Sequence, residues 1–313
     1  MAHGTDALGI PSDATIVLAV SGGPDSTALL YGSAALVGGE ARHWRLVVAH
    51  LDHQLRDDSA SDAAHVRVTA KALGVRFRSG RTDVAALARA EGRSIEDAGR
   101  QARYRFLEEV AAGEVADALI ATAHTADDVA ETVLLRLVRG SGIRGLRGIP
   151  ARRGRVIRPL LGEYRANLRA ALDAAGVAYL LDPTNDDPLH ADRNRIRAEI
   201  LPAMERLNPR IVGALRRLAR LAADDDDTLD AVAATELTAR RSARGIDWRN
   251  PPARAIGRRV LRLAVGEPAP PAERIEALLD AAEGPRGGLT LELGGGREAS
   301  VSARVITFAK PAD

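Results

Sequence analysis

The chain has 313 residues, 46% of them hydrophobic, and its 44 basic and 42 acidic side chains leave a formal net charge of +2. That length accommodates two domains with sizeable cores, and no apolar run approaches the roughly 20 residues that span a bilayer. Cysteine is absent, which excludes disulfides, zinc ribbons, iron–sulfur clusters, thiolate nucleophiles and persulfide carriers. With no basic flank or apolar core of a signal peptide at the N-terminus, a cytoplasmic address is expected.

In chain order, the first predicted strand covers 15–20, where Thr15-Ile16-Val17-Leu18-Ala19-Val20 is short, apolar and β-branched. It runs into Ser21-Gly22-Gly23-Pro24-Asp25-Ser26, and a helix is predicted over 26–36. A glycine loop followed by a helix N-terminus offers backbone N–H groups to a phosphate, and no lysine stands where a Walker loop needs one. Further strands are predicted over 45–50, 75–78 and 118–123, alternating with helices over 60–73 and 94–112. That alternation predicts an α/β fold with a doubly wound parallel sheet, whose ligands bind beyond the carboxyl ends of the strands. Three polar clusters fall there: 21–26, His50-Leu51-Asp52-His53 and His124-Thr125-Ala126-Asp127-Asp128.

A helix is expected over 126–139, then a glycine-rich connection over 140–150 whose backbone is mobile or closely approached. Across it runs an acid-free stretch, Arg136, Arg139, Arg144, Arg147, Arg152, Arg153, Arg155 and Arg158, which reads equally as a solvated loop or a phosphate-tracking surface. A strand over 156–161, a helix over 163–175 and a turn cluster from Asp182 to Pro188 follow. Beyond Asn194 the pattern becomes helical: 211–241, 254–265 and 272–281, ending in a strand pair, 289–293 and 301–308, around Gly294-Gly295-Gly296. Asp224-Asp225-Asp226-Asp227 is expected on a solvated face. The change of pattern suggests an α/β domain over 1–190 and a mostly helical domain with a small strand pair over 191–313.

Asp128 and Glu131 are three apart and share a helix face, where two carboxylates can bind a metal, act as acid and base, or hold an ammonium group. A zinc site is disfavoured because catalytic zinc usually takes more imidazole. Asp25 carries a hard oxygen suited to Mg²⁺ against phosphates.

The loop S-G-G-x-D-S resembles that of the ATP pyrophosphatases, the PP-loop superfamily. His50 to Arg56, Arg100 to Tyr104, Ala123 to Gly148, Asp182-Pro183-Thr184-Asn185 and Arg193-Asn194-Arg195-Ile196-Arg197 together, in order over about 17–202, resemble the tRNA(Ile)-lysidine synthetase family. This resemblance implies an ATP-dependent ligation of free L-lysine to C2 of the wobble cytidine of an isoleucine tRNA with anticodon CAU, through an adenylated cytidine, releasing pyrophosphate and AMP. It implies ATP at Ser21, Gly22, Gly23, Pro24, Asp25, Ser26, His50, Asp52, His53 and Arg56, with Mg²⁺ on Asp25. Lysine is expected at Arg103, Asp128 and Glu131, catalysis to involve Asp25, Asp128 and His124, and tRNA to meet Arg144, Arg147, Arg193 and Arg197. No membrane partner is implied, and a homodimer is allowed. Thr125 and Val129 replace a histidine and a glutamine common in the family, and Gln54 a glycine. The chain is also shorter than the family's longer members, so less protein is expected to recognise the tRNA body. A tRNA thiolase or an amidotransferase of the same superfamily is disfavoured by the missing cysteines. A tRNA-binding module without turnover is disfavoured by the intact loop and acid pair.

Overall fold

After a short helix, α1 (Ala2–Asp6), the apolar run expected at 15–20 forms β1 (Thr15–Ala19), in which Val17 and Leu18 are fully buried. The structure, a computed structural model, describes residues 1–6, 8–39, 42–55, 59–181, 192–284 and 288–309. A strand that is apolar on both faces needs cover on both sides, which the chain supplies by alternating strands with helices. The elements are α2 (Pro24–Gly38), β2 (Arg45–Asp52), α3 (Ser59–Ala72), β3 (Arg76–Arg81), α4 (Val84–Glu91), α5 (Ile95–Glu114) and β4 (Leu119–Ala121). They continue with α6 (Ala126–Val138), α7 (Ile143–Leu146), β5 (Arg152–Arg153), β6 (Val156–Ile157) and α8 (Arg165–Ala174).

The sheet order is β3-β2-β1-β4-β6-β5, parallel except for the antiparallel β5–β6 pair. Val17 lies in register with Val47 on one side and Ile120 on the other. One core packs Leu18, Leu29, Leu30, Val48 and Val66 together, and another joins Val17, Val47, Leu107 and Ala111. The chain builds outward from β1 to β3 and then returns to place β4 on the other side of β1. That reversal opens a crevice beyond the carboxyl ends of β1 and β4, where the first and third polar clusters begin.

The differences from expectation have local causes. Asp83 caps α4 by accepting the Ala86 N–H at 2.8 Å, and Gly92 ends it in the left-handed region, so a helix stands where none was predicted. The strand expected over 156–161 is reduced to Val156–Ile157, and the glycine-rich connection contains α7. Arg56 and the turn cluster at 182–188 lie outside the described residues.

The chain continues with α9 (Asp192–Arg195), a π-helical turn (Ile196–Ile200), α10 (Leu201–Leu207) and α11 (Ile211–Arg240). It divides into two compact units, Met1–Arg220 and Leu221–Asp313, so the division falls inside α11 rather than near residue 190. The second unit contains β7 (Arg241–Ser242), β8 (Gly245–Asp247), α12 (Arg254–Val265), α13 (Ala272–Glu283), β9 (Leu289–Gly294), β10 (Arg297–Ser302) and β11 (Val305–Ala309). The expected strand pair is a five-stranded antiparallel sheet, β7-β8-β11-β10-β9. Ala303 and Arg304, both at positive φ, break the strand expected over 301–308 into two. Each unit has one buried tryptophan: Trp44, whose Nε1 donates to the Pro11 carbonyl at 2.9 Å, and Trp248, fully enclosed in the second core. The acidic run is not wholly solvated. Asp226 is fully buried and pairs with Arg259 at 2.6 Å, because its position faces α12 inside the second unit.

Candidate active site

Gly22 has φ +96°, which favours glycine, and a Cβ there would come within 2.7 Å of Leu180 Cδ1 and displace that side chain. Ser26 Oγ accepts the N–H groups of Ser21 and Gly22, each at 3.2 Å, and donates to the Gly23 carbonyl at 3.0 Å. Ser26 therefore shapes the loop from within, instead of presenting a free hydroxyl. Gly23 is the N-cap of α2 with no side-chain cap, and Pro24 begins the helix. No side chain caps this helix end, whose first-turn N–H groups lack partners within the helix. Asp25 stands at this end. Its Oδ2 accepts Arg165 Nε at 3.2 Å, while its Oδ1 is buried and has no partner among the described residues. Burial raises its pKa more than Arg165 lowers it, and Asp128 adds to the rise.

A capping box fixes the start of α6. Thr125 Oγ1 accepts the Asp128 N–H, and Asp128 Oδ2 accepts the Thr125 N–H at 2.7 Å and its hydroxyl at 2.9 Å. Asp128 and Glu131 then lie on one face, as their spacing requires. Both are buried, Glu131 completely. Three arginines converge on them. Arg165 donates to Asp128 and Glu131, each at 3.2 Å; Arg193 donates to Asp128 at 2.8 Å and Glu131 at 2.7 Å; Arg197 donates to Glu131 at 2.8 and 3.1 Å. Burial alone would push both acids up, but for Glu131 the Arg197 hydrogen bond and the Arg193 and Arg165 charges hold the carboxyl below its ordinary range. For Asp128 the Arg193 and Arg165 charges have the same outcome.

Arg193 and Arg197, expected at the tRNA, thus turn inward to the acid pair. Buried carboxylates without a counter-charge are costly, and these two guanidinium groups are on the adjoining helical segment. Arg144 is exposed at α7 and Arg147 half-buried just after it. Of the acid-free run, Arg158 is buried and donates to the Pro150 carbonyl at 2.7 Å, so that position is structural. Arg165 had no signal of its own in the sequence. Its role comes from carboxylates at 25, 128 and 131, all distant along the chain.

His124 Nδ1 is 2.9 Å from Thr122 Oγ1, and burial, with Arg158, Arg103 and Arg193 nearby, pushes its pKa down to about 3 against the pull of Asp128. The ring is neutral at neutral pH. At the end of β2, His50 is buried with Nδ1 2.9 Å from the Val20 carbonyl, and its Nε2 is unpartnered among the described residues. Asp52 accepts the Gln54 N–H at 2.9 Å and Arg81 Nε at 3.1 Å, which anchors the turn in which Gln54 has positive φ. Burial, followed by Arg103 and His50, pushes His53 down to about 4. Arg103, on α5, is half-buried and lies 5.9 Å from the centre of the Tyr104 ring. It has no carboxylate bonded to it among the described residues. Burial opposes its charge most, and Arg100 and Arg193 add to that against the support of Tyr104 and Glu96.

A family model described as a PP-loop domain matches residues 5–204. A tRNA(Ile)-lysidine synthase of Salinispora tropica is 46% identical over 236 residues, covering 73% of this chain and 68% of that protein. The chain belongs to the tRNA(Ile)-lysidine synthase family. Another member, from Thermus thermophilus, is 46% identical over 222 residues, covering 71% of this chain and 42% of that protein. The matched part of the chain thus spans 42% of that longer lysidine synthase. Among solved structures, a U34-tRNA thiolase from Methanococcus maripaludis with its [4Fe-4S] cluster aligns with a TM-score of 0.54 at 17% identity, covering 68% of this chain and 74% of that one, and so shares the fold. The matched region holds every site residue the lysidine synthase motifs pointed to.

Proposed function

We propose that the chain is a tRNA(Ile)-lysidine synthase that joins free L-lysine to C2 of the wobble cytidine of the isoleucine tRNA with anticodon CAU, using ATP and working in the cytoplasm. The observation that carries this reading is the guanidinium of Arg165, which bonds to Asp25 of the phosphate loop and to Asp128 and Glu131 at once. Groups suited to phosphate and groups suited to an amine therefore belong to one site.

The open end of α2 and the loop 21–26 receive the ATP phosphates, and His50 and His53 at the end of β2 adjoin the adenosine. The orphaned, buried Oδ1 of Asp25 fits Mg²⁺, which takes one or two carboxylates and completes its shell from phosphates and water. When bound it supplies charge neutralisation on the phosphates during AMP transfer. The cytidine O2 attacks the α-phosphate and pyrophosphate leaves. The lysine amine then attacks C2 and AMP departs with O2. Arg103 takes the substrate carboxylate in a fork, and Asp128 with Glu131 accounts for the amine end. Neutral His124 offers a hydrogen bond beside the phosphates, not a proton. Thiolation is disfavoured, because iron–sulfur clusters are held by cysteine thiolates and this chain has none.

The test is mass spectrometry of the wobble nucleoside after incubation with tRNA, ATP, Mg²⁺ and labelled lysine. Lysine mass at that position is expected, and Asp25→Asn, nearly isosteric, should abolish AMP transfer while leaving the fold intact. Undiminished AMP transfer in that variant removes Asp25 from the activation step.

A further inference from the structure

A Walker loop meets the terminal phosphates of its nucleotide with a lysine, and the loop 21–26 has none. Arg165, at the edge of that loop, is already bonded to Asp25, Asp128 and Glu131. The next turn of α8 supplies another guanidinium. Arg169 is four residues beyond Arg165, which puts the two on one face of the helix about 6 Å apart along its axis. Beside them Leu168 packs into the core that holds Leu29 and Leu30 of α2, so this side of α8 lies along the helix that the loop opens. Past the end of α8 the chain comes back to the loop, where the Leu180 N–H donates to the Gly22 carbonyl at 2.9 Å. Asp25, raised mainly by burial, and Tyr179, raised by its bond to Asp173, both feel Arg169 acting in the opposite direction. Yet this guanidinium is exposed and has no hydrogen bond or ion pair among the described residues. Even Asp173, the acid one turn further along α8, accepts the Tyr179 hydroxyl at 3.0 Å instead.

We infer that Arg169 receives the terminal phosphates of ATP and remains on them as they leave as pyrophosphate. This rests on the lysidine synthase reading above, in which the loop 21–26 holds the nucleotide. Backbone N–H groups position a phosphate, but the charge that builds on the departing pyrophosphate as its bond to the α-phosphorus breaks calls for a cation from outside the loop. Arg165 reaches it only by giving up the acids it joins, whereas Arg169 has no partner to give up among the described residues. Leu168 and buried Leu172 fix α8, so the exposed side chain of Arg169 swings onto the phosphates without a change in the backbone. A guanidinium holds its charge at every working pH, and its fork matches two phosphate oxygens.

The experiment is isothermal titration calorimetry of the full chain with Mg²⁺ and ATP, AMP or pyrophosphate, for wild type, Arg169→Ala and Arg169→Lys. Arg169→Ala should bind ATP and pyrophosphate about tenfold more weakly than wild type, the worth of a hydrogen bond between charged groups. AMP, which lacks the terminal phosphates, should bind both proteins alike. Arg169→Lys, which keeps the charge but not the fork, should recover part of the loss. ATP and pyrophosphate affinities in Arg169→Ala equal to those of wild type overturn the proposal, as does an equal loss for ATP and AMP, even where wild type makes lysidine. A wild type that neither binds ATP nor makes lysidine removes the underlying reading and this proposal with it.

Discussion

Glu131 illustrates how the meaning of one residue depends on what surrounds it. The sequence shows a carboxylate on a helix; the structure shows it fully buried beneath three guanidinium groups. Removing one member of a buried ion cluster leaves the others uncompensated, so Glu131→Gln should lower stability by about 3 kcal/mol, measured by urea denaturation, and raise the lysine KM more than the ATP KM. A variant as stable as wild type means the arginines do not depend on it. Histidine supplies a second prediction at this scale. His53 and His124 have folded pKa values of about 4 and about 3, against 6.5 for an unperturbed imidazole, so as pH falls below 6.5 the unfolded chain binds protons that the folded chain refuses. Stability is therefore fullest above pH 6.5 and declines toward pH 4. The thermal midpoint should drop between pH 7 and 5, and drop less in His53→Gln. A midpoint that rises over that interval contradicts the neutral burial of both rings.

At the scale of the element, the phosphate loop was legible because its signal is contiguous: an apolar run, two glycines, a proline and a hydroxyl within a dozen residues. The shared face of Asp128 and Glu131 followed from helical spacing alone. What escaped was non-local. The sheet of the second unit pairs strands as short as two residues, which carry no periodicity, and the roles of Arg165, Arg193 and Arg197 are set by acids far away along the chain. Ser26 was legible as a loop residue but not as the acceptor that organises it. Ser26→Ala should leave the N–H groups of Ser21 and Gly22 without that acceptor and raise the ATP KM about tenfold, with the lysine KM unchanged. Equal changes in both constants mean the loop and the acid pair of α6 deform together.

For the whole molecule, the doubly wound sheet was legible from alternation, whereas the division into units was not, since α11 runs without a break across it and composition marks an earlier change. The two buried tryptophans give this division an optical consequence. They are the only two in the chain, one in each unit, so a single conservative replacement makes the emission of the protein a report on one unit at a time. A ligand stabilises only the fold that binds it. ATP with Mg²⁺ should therefore raise the denaturation midpoint seen through Trp44 in Trp248→Phe and leave the midpoint seen through Trp248 in Trp44→Phe nearly where it was. Parallel shifts in both would mean that the units unfold as one. The same pair of colourless substitutions turns the chain into its own titration dye, with the first unit read at one indole and the second serving as an internal blank.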